Sequence, residues 1–149
     1  MKRFVFCLVL SLGFLIQHTG VADIVLDHEA TPGDLCKEGD LDFSNFDYPS
    51  HVARCTRHVT KGMKQQVADY YEVVEEDWSN YEFDHLYPLC AGGSNHIENL
   101  WPEPKELALE KDKIENKICR ALKAGTMDQE EAIQEIDDWF EEKGFSTSQ

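Results

Sequence analysis

From Val59 to Val74, apolar positions Val59, Met63, Val67 and Tyr70 or Tyr71 recur at helical spacing, which predicts an amphipathic helix. The pattern then changes period. Apolar and charged residues alternate from Tyr81 into Asp84-His85, and after Gly92-Gly93-Ser94-Asn95 a second short apolar run, Asn99-Leu100-Trp101, is closed by Pro102. This predicts a two-stranded hairpin, with the glycines supplying a tight connection that brings Asn99 back near His85. Pro104 suits a helix start, and Leu107, Ile114, Ile118 and Leu122 mark one helical face, with Ala108, Asp112, Glu115 and Cys119 on the adjoining stripe. Both stripes can face inward. Ala124-Gly125 ends that helix, and Thr126 with Gln129 reads as a capping-box start for a last one, with Ile133, Ile136, Trp139 and Phe140 as its buried face. Gly144 closes it, and 146–149 reads as a frayed tail. Asp23 to Ser50, rich in Asp, Gly and Pro, shows no sustained period and reads as a loop-rich arm.

These elements predict an α+β fold, a small and mostly helical domain built around a hairpin-helix core. The 149 residues, 42% of them apolar, suffice for one modest core. Met1-Lys2-Arg3, the apolar run Phe4 to Ile16, and Gly20-Val21-Ala22 before Asp23 have the three parts of a secretory signal peptide, 1–22, so a secreted or periplasmic protein is expected. The remainder, 23–149, divides into an arm and basic helix (23–80), the hairpin-helix core (81–124) and a C-terminal helix and tail (125–149).

Removal of the leader takes Cys7 with it and leaves Cys36, Cys55, Cys90 and Cys119, an even set that predicts two disulfides in an exported chain. Three pairings are possible. Cys36 with Cys55 and Cys90 with Cys119 is the preferred one, because each pair flanks one structural unit. The cysteine spacing is poor for a zinc knuckle.

Removing Lys2 and Arg3 with the leader takes the net charge from −15 to −17, which disfavours nucleic-acid binding unless a local basic surface exists. One does exist. Pro49 to Ala68 contains no Asp or Glu, while Arg54, Arg57, Lys61 and Lys64 are cationic, so this quartet is the candidate phosphate-facing surface. A solvated helix face balancing acidic neighbours is the plainer reading of the same residues.

The pattern Asp84-His85-x-x-Pro88-Leu89-x-x-Gly92-Gly93-x-Asn95-x-x-x-Asn99-Leu100-Trp101-Pro102-Glu103, followed by a helix, resembles the HNH endonuclease family, whose core is the ββα-metal fold. Cys55-Thr56-Arg57-His58-Val59 and, more weakly, Lys111-Asp112-x-x-Glu115 are similar to one small single-domain branch of that family. The resemblance implies phosphodiester hydrolysis, with a distorted strand end bringing Asp84 and His85 to one site. His85 would be the general base, held in orientation by Asn99, and Asp84 would bind one divalent ion, with Mg2+ expected and Mn2+, Ca2+ or Zn2+ as alternatives. The family's third ligand falls at about Ala108, which cannot bind metal. Asp112, one turn further along the stripe, is the chosen substitute, with Glu103, Glu115 and Asn116 open and a surface salt bridge as Asp112's plainer role.

The expected protein is therefore a monomeric, secreted nuclease acting on DNA, or on RNA, with little sequence preference, because no second motif for base readout is present. An inhibitor protein is a further conceivable partner. The alternatives are a catalytically degenerate binding module of the same fold, for nucleic acid or protein, and a disulfide-stapled interaction protein.

Overall fold

A computed structural model of the chain describes residues 24–145; the signal-peptide reading of 1–22 and the tail at 146–149 lie outside them. The architecture is α+β. Strands β1 (Phe43–Asp47) and β2 (Val52–Cys55) form one antiparallel pair, and β3 (Tyr81–His85) and β4 (Leu100–Pro104) form another. Helix α1 (Lys61–Tyr70) lies between the two sheets in sequence, and α2 (Lys105–Ala124) and α3 (Gln129–Glu142) follow them. No helix of the described residues is long and apolar enough to cross a membrane.

The β3–β4 hairpin forms as its alternation predicts. Tyr81, Phe83 and His85 are buried on one face of β3, and the register pairs Asp84 with Trp101 and His85 with Leu100 without a slip. The expected tight turn and strand distortion are both replaced. The chain between the strands is an ordered loop, 86–99, containing two short 3-10 turns, Leu89–Ala91 and Ile97–Asn99. Only Gly92 of the glycine pair takes a positive φ, +87°. Gly93 serves for close approach: a Cβ there would collide with the Tyr87 carbonyl oxygen, a backbone atom that cannot rotate away.

Trp101 is fully buried and meets the Phe140 ring edge-on, with centroids 5.8 Å apart, so β4 is fastened to α3. Leu86, Ile118, Leu122, Ile136 and Val52 complete this core. A second cluster, Val67, Ala68, Tyr81, Phe83 and Leu100, packs α1 against the other side of the hairpin. Removing a ring as large as that of Trp101 from such a core costs about 3–5 kcal/mol.

Three boundaries depart from the sequence reading. Helix α1 is shorter than 59–74: the Thr60 hydroxyl caps it by accepting from Met63 N–H, and Glu72 at φ 57° lies in the left-handed region just beyond its end. The capping box of α3 is Asp128 with Glu131, not Thr126 with Gln129. The arm contains β1, which pairs with β2 through a turn with Tyr48 at φ 62° and His51 at φ 54°, so no glycine marks the turn in the sequence.

Both disulfides form as paired above. Cys36–Cys55 ties the arm to β2, and Cys90–Cys119 ties the 86–99 loop to α2, with Cα separations of 5.8 and 5.5 Å.

Candidate active site

An open cleft of about 500 Å³ lies over the end of β3, lined by Arg54, Arg57, Glu82, Asp84, His85, Asp112 and Glu115 and rimmed by Cys90 and Cys119. The hairpin supplies Glu82, Asp84 and the imidazole, β2 and the segment after it supply the arginines, and α2 supplies Asp112 and Glu115. Asp84 and His85 start from opposite faces of a regular strand. They nevertheless meet at the strand end, with Asp84 Oδ1 3.5 Å from His85 Nδ1.

Asn95 orients His85. Its Nδ2 donates to the Thr56 carbonyl at 2.9 Å and to Asp42, which fixes the amide so that Oδ1 faces His85 Nε2 at 3.0 Å. The same Oδ1 accepts from His58 N–H. An oxygen cannot donate, so Nε2 must carry the imidazole proton. Nδ1 is then left with its lone pair in the neutral ring, facing Asp84 and, at 3.4 Å, the Arg57 guanidinium.

Asn99, expected to hold His85, has another task. Its amide accepts from Tyr87 N–H at 2.9 Å and donates to the Tyr87 and Ser94 carbonyls at 3.0 and 2.9 Å, so it clamps the loop that carries Asn95. Fully buried, it supports His85 through the loop and makes no hydrogen bond to the ring.

The basic quartet divides. Arg54 and Arg57 line the cleft, but Arg54 lies on β2 and Arg57 just after it, so neither belongs to the helix. Arg54 donates to Asp47 and Tyr48, while Arg57, half exposed, donates to Asp84 Oδ1 at 3.1 Å. Lys61 pairs with Glu75, and Lys64 lies over the Phe83 ring at 5.8 Å. The described residues therefore present two arginines to the cleft and two lysines along α1.

Lys111 is a site residue that the pattern of polar positions did not single out. It is fully buried, and its Nζ reaches the His85 carbonyl at 2.6 Å, Glu115 at 2.7 Å, Asp84 Oδ2 at 3.4 Å and Glu103 at 3.5 Å. The signal was available in Lys111-Asp112-x-x-Glu115, where i to i+4 spacing sets the lysine beside Glu115. Burial alone would raise the Asp84 pKa, but the His85 ring, which can donate from Nδ1 only when protonated, the Lys111 charge and the hydrogen bond from Arg57 outweigh it and hold the carboxyl well below the usual range. Burial would equally lower Lys111, and the Glu103, Asp84 and Glu115 charges keep it above the ordinary lysine value.

Burial, with the Asp84 and Glu115 charges, pushes Glu103 up to about 8. The shift favours the protonated carboxyl toward neutral pH and so weakens its ion pair with Lys111, 3.5 Å away; its Oε1 is buried without a partner among the described residues. Between about 4.5 and 8 the folded chain binds a proton here that the unfolded chain has lost, so this group's contribution to stability falls as pH rises through that window. Glu103→Gln should flatten that slope. Urea unfolding midpoints at pH 5 and pH 8 measure it, and an unaltered slope in the mutant would remove Glu103 as its source.

The divalent ion expected at Asp84 and Asp112 does not fit this donor set. Each Asp84 oxygen already faces a cation, Arg57 on one side and the immobile Lys111 on the other. Asp112 lines the same cleft from an exposed position on α2 but joins no compact ligand group with Asp84. Among the described residues, the group close enough to hold a metal is Cys36, Asp40 and Cys55, and its two sulfurs are bonded to each other. Only after reduction could they become thiolate ligands.

No family model, curated protein or solved structure matches the chain. The functional reading thus stands on the residues of the cleft.

Proposed function

We propose that this chain is a secreted phosphodiesterase of the HNH endonuclease kind, cutting DNA, with RNA as the second candidate substrate. The observation that carries the reading is the His85 imidazole, fixed by Asn95 with Nδ1 turned toward an arginine-lined cleft. Export is supported by the leader pattern and by two disulfides.

In this reading a phosphate entering the cleft draws the half-exposed Arg57 guanidinium off Asp84 and His85, because an anionic phosphate accepts two of its N–H groups in a fork. His85 Nδ1 is thereby uncovered. A water placed between them gives its proton to Nδ1 while its oxygen bonds to phosphorus; the P–O bond to the leaving alcohol breaks, and that oxygen takes a proton from solvent. Asp84, 3.5 Å from Nδ1, stabilises the imidazolium that results. The protein is expected to touch phosphate and not bases, so little sequence preference follows.

Incubation of the purified, oxidised protein with supercoiled plasmid tests this. Nicked and linear products are expected, and a plasmid left intact across pH 6 to 9, with and without added divalent ions, would end the proposal; binding without cleavage would select the degenerate binding module. Replacing Arg54 and Arg57 together with Gln should weaken DNA binding and make log affinity fall less steeply with log salt, by about 0.9 for each phosphate that the variant no longer neutralises. Lys61 and Lys64, replaced in the same way, should change the slope less. Filter binding over a salt series distinguishes the pairs, and a larger change from the lysines would move the phosphate track to α1.

A further inference from the structure

Lys111 has a polar shell of the kind a hard cation takes: two carboxylates, a third carboxyl group and a backbone carbonyl converge on one point sealed from solvent. An ammonium already fills it. At the point itself Asp84 and Glu115 face Lys111 and Arg57, and burial shifts Glu103 toward its neutral form; Glu82 and Asp112 also line the cleft. A divalent ion on Asp84 would lie beside a buried positive charge that cannot swing away, and it would also have to displace Arg57.

The geometry points to Lys111 as the resident cation of this cleft, standing where a divalent ion would otherwise be required, so that the site operates without a bound metal. This inference rests on the phosphodiesterase reading above for its chemistry, but not for its ion-binding claim. Lys111 is a positioning residue. It neutralises Asp84 from behind and, through the His85 carbonyl, holds the strand end that carries the base; Arg57, at the cleft surface, is the cation that meets phosphate. The arrangement supplies charge stabilisation from side chains fixed before substrate arrives.

Two measurements on the oxidised full chain decide it. In the first, Mn2+ is titrated calorimetrically into the wild type, Asp84→Asn and Lys111→Ala. The wild type should show no stoichiometric site, whereas Lys111→Ala, with its carboxyl groups left around an emptied volume, should gain one Mn2+ per chain and a melting temperature that rises with Mn2+. A purely structural lysine would give loss of stability with no gain of ion binding, and that result overturns the inference. So does a wild-type Mn2+ site that Asp84→Asn removes. Should Lys111→Ala fail to fold, the wild-type titration with its Asp84→Asn control decides alone. In the second, plasmid cleavage by the wild type is followed with a chelator present. Undiminished cleavage is expected; cleavage abolished by the chelator and restored by Mg2+ or Mn2+ overturns the inference and leaves the nuclease reading standing. No cleavage under any condition overturns the nuclease reading, and the titration still judges Lys111.

Discussion

Replacing His85 with Ala should lower the proposed plasmid cleavage by about a hundred- to ten-thousand-fold, the usual loss when a general base is removed. The fold should persist. His85 is buried, but its ring is held at one side by Asn95, and Asn95 keeps its bonds to Thr56, Asp42 and His58 when the imidazole is gone. Far-ultraviolet circular dichroism checks that the variant is folded, and single-turnover nicking at matched protein concentration gives the rate. A folded His85→Ala protein whose nicking rate equals that of the wild type would show that Nδ1 accepts no proton in the slow step, and the base would have to be sought among the other groups of the cleft.

Reduction of both disulfides has the larger effect on stability. Each bridge contributes about 2–4 kcal/mol by restricting the unfolded chain, and a domain of this size holds only about 5–15 kcal/mol in total. The bridges also sit at the site. Cys90 and Cys119 rim the cleft, and Cys55 is next to Thr56, whose carbonyl anchors Asn95. Urea unfolding with and without reductant should show a large fall in the midpoint. An unchanged midpoint, or four free thiols in the untreated protein, would refute the stapled architecture.

The site was legible in the sequence where one residue type has one common use. Asp84 and His85 were expected at one site only through the family resemblance, since neighbouring side chains of a regular strand diverge, whereas the β3–β4 hairpin and α2 followed from their periods. Asn95 and Asn99 are harder to tell apart, because an amide can clamp backbone or orient a ring, and only the partners decide. Asn99 meets three backbone groups; Asn95 meets His85. Lys111 was hidden for a different reason. On a helical wheel a lysine scores as solvent-facing, and the carboxyl groups that let it go inside come from β3, β4 and the next helical turn. The β1–β2 pair escaped notice because β1 is largely exposed and its turn uses Tyr48 and His51 where a hairpin turn commonly has Gly or Asn.

The burial of Lys111 also constrains how this chain can diverge. A single substitution at Lys111 takes that cation from Glu115 and leaves Asp84 with Arg57 alone; stranding a fully buried charge costs about 3–5 kcal/mol, and the cost here is smaller because both carboxylates are partly exposed. Changes at Glu103 and Glu115 carry reciprocal penalties, though Gln at 103 is the mildest of them because burial already favours the neutral form of that carboxyl. Descendants of this sequence should therefore alter positions 84, 111 and 115 as a set or not at all, while 103 drifts between Glu and Gln; the exposed Asp112, one residue from the lysine, is free of that bond and can vary alone.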